Sequence, residues 1–148
     1  MIPSLVLGLS LWLGGLAGCS NHELTIHDAW IPAAPPRVPT LAGYMTITNG
    51  TAQTRTLVGA SGALFQRIEI HRTVYDKDAG LARMIPEARV TIPSGRSVVF
   101  EPGGYHLMLT RPKRPLKEGE RVSMQLRFAD GSKIGVGFQV RRRARLRP

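Results

Sequence analysis

From Leu24 onward, apolar and polar side chains alternate rather than recurring at helical spacing. The segment Arg121–Phe128 is the plainest case: Val122, Met124, Leu126 and Phe128 interleave with Arg121, Ser123, Gln125 and Arg127. A period of two marks a half-buried strand, because successive side chains leave opposite faces of the backbone. The same reading gives candidate strands at Leu24–Trp30, Ala42–Asn49, Thr56–Ala60, Arg67–Val74, Ala82–Ile85, Arg89–Ile92 and Ser97–Phe100. Tyr105–Thr110, Arg121–Phe128 and Lys133–Val140 follow. Turn signals punctuate them at Asn49-Gly50, Asp78-Ala79-Gly80, Pro93-Ser94-Gly95, Pro102-Gly103-Gly104, Glu118-Gly119 and Asp130-Gly131. About nine short antiparallel strands so spaced predict an all-β chain, a sandwich or barrel with Greek-key connections. The segment Pro32–Thr40, with Pro32, Pro35, Pro36 and Pro39, reads as a stiff crossover.

The pattern is different before Leu24. Ile2–Gly18 carries no ionisable side chain, ends in Leu16-Ala17-Gly18-Cys19, and gives way at once to polar Ser20-Asn21-His22-Glu23. An apolar run closed by small residues is the form of a secretory signal. The tetrapeptide resembles a bacterial lipobox, in which the cysteine thiol receives the lipid. Residues 1–18 are therefore expected to be a lipoprotein-type signal peptide, Cys19 the lipidation site, 19–23 a tether, and 24–140 the folded domain. Met1–Ser4 lacks the basic residues that usually open such a signal. An uncleaved membrane anchor is the alternative, and either reading places the domain outside the cytoplasm.

Composition narrows the function classes. The 148 residues are 43% hydrophobic, enough for a packed core, and the single cysteine excludes an internal disulfide framework. Twenty Lys and Arg against ten Asp and Glu leave a formal charge of +10. Five arginines fall in the tail 141–148, with no aromatic residues interleaved for nucleic acid binding. Such a charge run is a solvated tail or a contact for anionic lipid headgroups. No nucleophile elbow, zinc-protease helix motif or phosphate-binding glycine loop is present, so an enzyme is not expected.

Candidate chemistry lies on two strands. In Tyr105–Thr110, Tyr105, Leu107 and Leu109 form an apolar face, which sends His106 and Met108 together to the other side. Their α-carbons are then about 6.6–6.8 Å apart, two strand steps, so imidazole and thioether can converge on one ion. In Arg67–Val74, Ile68, Ile70 and Val74 are expected inward and Glu69, His71 and Thr73 outward. Met84 stands thirteen residues after His71, beyond the Asp78–Gly80 turn, where a hairpin could bring it near. Spacing alone does not make these two strands neighbours. A single histidine or methionine on a polar face is ordinary surface, whereas the aligned His-x-Met pair points to a soft metal. Thioether sulfur and imidazole suit Cu(I); zinc takes Cys, His and carboxylate, and calcium and magnesium take oxygen. His22 and His27 are weaker candidates. Met45 and Met124 read as core, and Glu69, Glu87 and Glu101 as surface charge.

Longer stretches resemble a known family. Asp28-Ala29-Trp30-Ile31, Pro35-Pro36, Ala42-Gly43-Tyr44-Met45-Thr46-Ile47-Thr48-Asn49, Glu69-Ile70-His71, Met84, Glu101-Pro102-Gly103-Gly104-Tyr105-His106-Leu107-Met108-Leu109 and Pro115-Leu116-Lys117-Glu118-Gly119 are similar to the periplasmic PCu(A)C copper chaperones, over about Leu24–Val140. The twenty-one residues between Met84 and His106 match the family spacing. The interval from His71 to Met84 is a residue longer than usual, and Arg72 stands where some members have a methionine. The resemblance implies a cupredoxin-like barrel that binds Cu(I) through His71, Met84, His106 and Met108. It also implies delivery toward the copper A centre of cytochrome c oxidase, or to another copper chaperone. Some relatives bind a second copper through a His- and Met-rich tail; arginines stand here instead, so no second site is expected. A blue-copper electron carrier would need a cysteine thiolate within the fold, and Cys19 lies outside it. The remaining alternative is a basic surface lipoprotein with an adhesive or structural role and no metal.

Overall fold

The computed structural model describes residues 23–142, all strand, turn and loop, with no helix among them. The expected signal, the lipidation site Cys19, most of the tether and all but the first two residues of the arginine tail lie outside the described residues. Ten strands form: β1 (Leu24–Pro32), β2 (Thr40–Asn49), β3 (Arg55–Ser61), β4 (Phe65–Asp76) and β5 (Leu81–Pro86), then β6 (Val90–Ile92), β7 (Ser97–Phe100), β8 (Tyr105–Pro112), β9 (Arg121–Phe128) and β10 (Lys133–Arg141). Each expected strand is present. In β9 the alternation is complete, with Val122, Met124, Leu126 and Phe128 buried and the four residues between them exposed.

The strands make one sheet in the order β5-β4-β8-β7-β2-β1-β10-β9-β3-β6, with β2 also bonded to β8. Two pairings depart from the antiparallel expectation: β1 runs parallel to β10, and β7 is parallel to β8 at Phe100 and Tyr105. The first joins strands far apart in the chain and the second is a single pair across a tight turn; period-two reading of single strands registers neither. Every strand except β5 contributes to one buried apolar cluster, among them Ile31, Met45, Leu57, Ile70, Ile92, Phe100, Leu107, Leu126 and Phe138. A flat sheet could not gather these side chains, so the sheet curls on itself. β3 accordingly packs on β4 although other strands separate them in the bonded order. This is the all-β, cupredoxin-like fold that the resemblance implied. Met45 and Met124 are buried in the core, as expected.

Two features of the curl position the site. Opposite its β1 edge, strand β2 serves two partners: Thr40–Gly43 pair with β8 and Met45–Thr48 with β7. The turn between β7 and β8 is tight, with Glu101 N–H donating to Tyr105 O at 2.9 Å and Gly104 N–H to Glu101 O at 3.0 Å. Gly103 takes φ +85° there, a conformation a side chain would strain. The β4–β5 hairpin, in turn, reaches past the core. β5 is bonded only to β4, and Val74, Tyr75, Leu81 and Met84 on this arm are all exposed. Val74 was expected inward; it is 37% exposed because the strand outruns the apolar layer it would pack against.

Asn49, at the end of β2, is a fully buried polar side chain with every polar atom used. Its Nδ2 donates to Gln53 O at 2.8 Å and Ile92 O at 2.9 Å, and its Oδ1 accepts from Thr51 N–H at 3.0 Å and Thr51 Oγ1–H at 2.7 Å. The residue therefore ties β2 to β6 and to the following loop. Asn49→Ala should destabilise the fold by about 2–4 kcal/mol, since it strands several buried donors and acceptors at once. Urea denaturation measures this; a loss within experimental error of zero would show that the network carries no weight.

Candidate metal site

Strands β4 and β8 are antiparallel neighbours, and their register sets His71 directly opposite His106 and Glu69 opposite Met108. Directly opposed residues share a face, so the two candidate pairs meet across this ladder. On the other side of β4, Thr73 faces Met84 and His71 faces Pro86. Met84 is thus on the same face, one strand over and two positions along from His71. On the far side of β8, Ala42 of β2 lies opposite Met108, and its short side chain leaves the sulfur room. All four residues singled out in the sequence occupy one face of three adjacent strands. Met84, Met108, His106, Thr73 and Tyr44 line a groove of about 330 Å³ with the Pro102–Gly103 turn at its edge. His71 stands beside it, its ring centroid 5.9 Å from that of His106 and the planes at 46°. An ion held ~2.0–2.1 Å from one nitrogen of each ring can bridge such a pair.

The histidines lie on the outward face, as expected, but are covered there. His71 is 8% and His106 4% exposed, although each points away from the apolar core. The reason is curvature: the β7–β8 turn and the flanking strands rise around this part of the sheet and cover its outer face. Met84, on the arm, is 61% exposed. Two firmly held imidazoles are therefore joined by one half-buried and one open thioether.

Burial leaves two nitrogens without a partner. His106 Nδ1 lies 3.2 Å from Gly104 O. A carbonyl can only accept, so Nδ1 carries the proton and the neutral ring keeps its lone pair on Nε2. That Nε2 is buried and has no hydrogen bond, and neither has His71 Nδ1. Unsatisfied buried polar atoms are unfavourable and rare. Two of them on facing imidazoles beside two thioethers have the form of a donor set awaiting a cation. Gly104 O also accepts from Thr73 N–H at 3.1 Å, so one carbonyl aligns His106 and anchors β4. Glu69 Oε2 is 3.9 Å from His71 Nε2, too far for a hydrogen bond but close enough to favour positive charge nearby. Among the described residues no three His, Cys, Asp or Glu side chains group to hold a metal.

Glu69, read as surface charge on the face of His71, is on that face and half-exposed. One neighbour escaped the sequence reading. Tyr44 reaches the groove from β2 while stacked on Trp30 at 5.0 Å, and no spacing rule connects β2 to the His-x-Met strand. His27, the lesser histidine candidate, is away from the groove and bonds Thr48 Oγ1 at 2.9 Å.

Comparison with known proteins assigns the lineage. A family model described as "Putative lipoprotein LpqE-like" matches residues 24–140. The chain belongs to the LpqE-like family. A "Putative lipoprotein Lxx21020" of Leifsonia xyli subsp. xyli is 29% identical over 140 residues, 86% of this chain and 82% of that protein. Among solved structures, CuI-DR1885 from Deinococcus radiodurans is 35% identical, with TM-score 0.61, over 80% of this chain and 78% of that one. The copper-bound PCuAC domain from PmoF2 is 21% identical, with TM-score 0.67, over 81% of this chain and 93% of that domain. The kinship to PCuAC proteins drawn from the sequence motifs thus holds in three dimensions, and the LpqE-like fold is theirs.

Burial holds the His106 pKa below its usual 6.5; the Gly104 carbonyl opposes this and the nearby His71 reinforces it. The unfolded chain takes up this proton first as pH falls. The stability contributed by neutral His106 is therefore complete above pH 6.5 and is lost as pH drops through the lower folded value. NMR titration of the metal-free chain should place the His106 midpoint below that of a free imidazole, and His106→Gln should flatten the acid limb of the stability curve. A midpoint at or above 6.5 would contradict this account.

Proposed function

We propose that this LpqE-like chain is an extracytoplasmic copper carrier that binds Cu(I) through His71, Met84, His106 and Met108. The observation that carries the reading is the meeting, on one face, of two unpartnered buried imidazole nitrogens with two thioethers. Each donor is neutral, which suits a soft monovalent ion and offers little to harder divalent ones. Methionine cannot lose a proton or form a disulfide, so this set is not consumed by cross-linking in an oxidising compartment. Two relatives of the same fold are copper-bound or Cu(I)-bound by name, and the family's description as lipoproteins agrees with Cys19 as a lipid anchor.

The function is binding and transfer, with no bond made in a substrate. The histidines are preorganised by burial and, for His106, by the Gly104 carbonyl. Met84 lies on the exposed arm and can be replaced first by a donor from an incoming acceptor. Copper then passes through a shared-ligand state while the histidines still hold it. The acceptor that fits the resemblance is the copper A centre of cytochrome c oxidase or another copper chaperone. The lipid anchor would keep the carrier at the membrane surface.

Cu(I) titration of the chain against a competing chelator tests the site. Met108→Ala and His106→Ala should each weaken binding at least about tenfold, or ~1.4 kcal/mol, and together more. Met84→Ala should speed loss of copper most, because its sulfur closes the open side. Met45→Leu and Met124→Leu, in the core, should leave affinity unchanged. Unaltered binding in the Met108→Ala/His106→Ala double variant would end the proposal.

A further inference from the structure

A second groove, of about 300 Å³, opens at the end of the sheet where the Pro32–Thr40 crossover passes the loop after β8. Its walls are Pro35, Val38, Pro39, Pro112, Pro115 and Leu116. Four of these six are prolines, so the walls are stiff and offer no backbone N–H. The two segments are tied together by Arg111 N–H donating to Pro39 O at 2.7 Å. Leu41 lines both this groove and the metal groove, which makes them neighbours along β2.

The rim is basic. Arg37, Arg111, Lys113 and Arg114 all line the groove, and no acidic residue does. Arg114 is taken up by Glu120 at 3.0 Å. Among the described residues Arg111 meets only the neutral Gln66 amide, at 3.3 Å, and neither Arg37 nor Lys113 has a carboxylate within salt-bridge distance. Arg37 and Arg111 also have positive φ, +69° and +49°. This rare conformation for a side-chain-bearing residue fixes where each arginine leaves the backbone.

We propose that this groove docks an acidic, apolar segment of the copper-accepting protein: carboxylates on the arginine and lysine rim, an apolar side chain between the prolines. The inference rests on the copper reading, because adjacency through Leu41 is what would bring a bound segment within reach of Met108. An excess of +10 on the chain would draw an acidic partner at long range. An anionic membrane offers the same charge. However, a lipid headgroup supplies no apolar residue suited to a walled groove, and membrane docking gives no reason for the groove to abut the metal site.

The test uses the ¹⁵N-labelled chain and three probes: a short peptide alternating glutamate with methionine and leucine, its lysine counterpart, and phosphatidylglycerol vesicles. The glutamate peptide should shift the amides of Leu41, Arg111, Lys113 and Leu116, more weakly as salt rises, and the lysine peptide should not. Arg37→Asn with Lys113→Glu should weaken the glutamate peptide at least tenfold and leave Cu(I) affinity unaltered. Asparagine suits the left-handed backbone at position 37, and Lys113→Glu alone serves if the pair perturbs folding. Equal binding of the double variant and the native chain, or shifts mapping elsewhere, overturns the proposal. So does perturbation of this groove by vesicles but not by peptide. If the chain binds no Cu(I) while the peptide still maps to the groove, the docking surface stands and the copper reading falls.

Discussion

The register between β4 and β8 is the constraint on which the rest depends. It makes His71 and His106 direct partners and puts Met108 and Glu69 side by side. Because side chains alternate with period two, a slip of one residue would turn one histidine into the core and bring Leu107 or Ile70 out in its place. The core forbids this: Leu107 and Leu109 are fully buried and Ile70 nearly so. Apolar burial, at about 1.5–3 kcal/mol per large side chain, thus fixes the positions of two donors that contribute nothing to it. The ligand geometry is a by-product of hydrophobic packing on the reverse face of the same two strands.

That arrangement also explains which parts were legible in the sequence. Strand positions followed from alternation, and β9 is the clearest example. The His106–Met108 pairing followed from strand geometry because both residues belong to one strand. The adjacency of β4 and β8 did not follow, since it depends on a sheet order that no local pattern encodes; only the family spacing pointed to it. Nor could alternation reveal how deeply a polar face is covered. His71 and His106 were assigned to the correct side of their strands, with nothing in the pattern to say how deeply they are covered. Curvature and the Pro102–Gly104 turn bury them, and these are properties of the whole sheet. Val74 failed in the opposite direction: its face is right, but the core ends before the strand does.

The asymmetry between the donors bears on how a carrier can both hold and release an ion. His106 is locked by burial and by a carbonyl that also anchors Thr73. A ligand held so firmly loses little freedom on binding metal and resists displacement. Met84 stands on a hairpin bonded along one side only, exposed on an edge strand. A sheet edge with few tertiary contacts opens at lower free energy than the core. The four candidate donors therefore divide into rigid histidines and a compliant Met84 that is open to solvent.

The two grooves extend this division of labour along β2. Ala42 and Tyr44 contribute to the metal groove, Leu41 to both, and the crossover before Thr40 to the proline-walled one. The lining of the metal groove carries no fixed positive charge and the Glu69 carboxylate stands 3.9 Å from His71 beside it, whereas the proline groove has a cationic rim. Fixed positive charge close to a cationic cargo would weaken its binding, while the same charge displaced along the strand can draw a partner without that penalty, because screening by salt shortens its reach to about 8–10 Å. On the proposed reading, separating the positive charge from the soft donors would let one small sheet attract an acidic partner without repelling the ion.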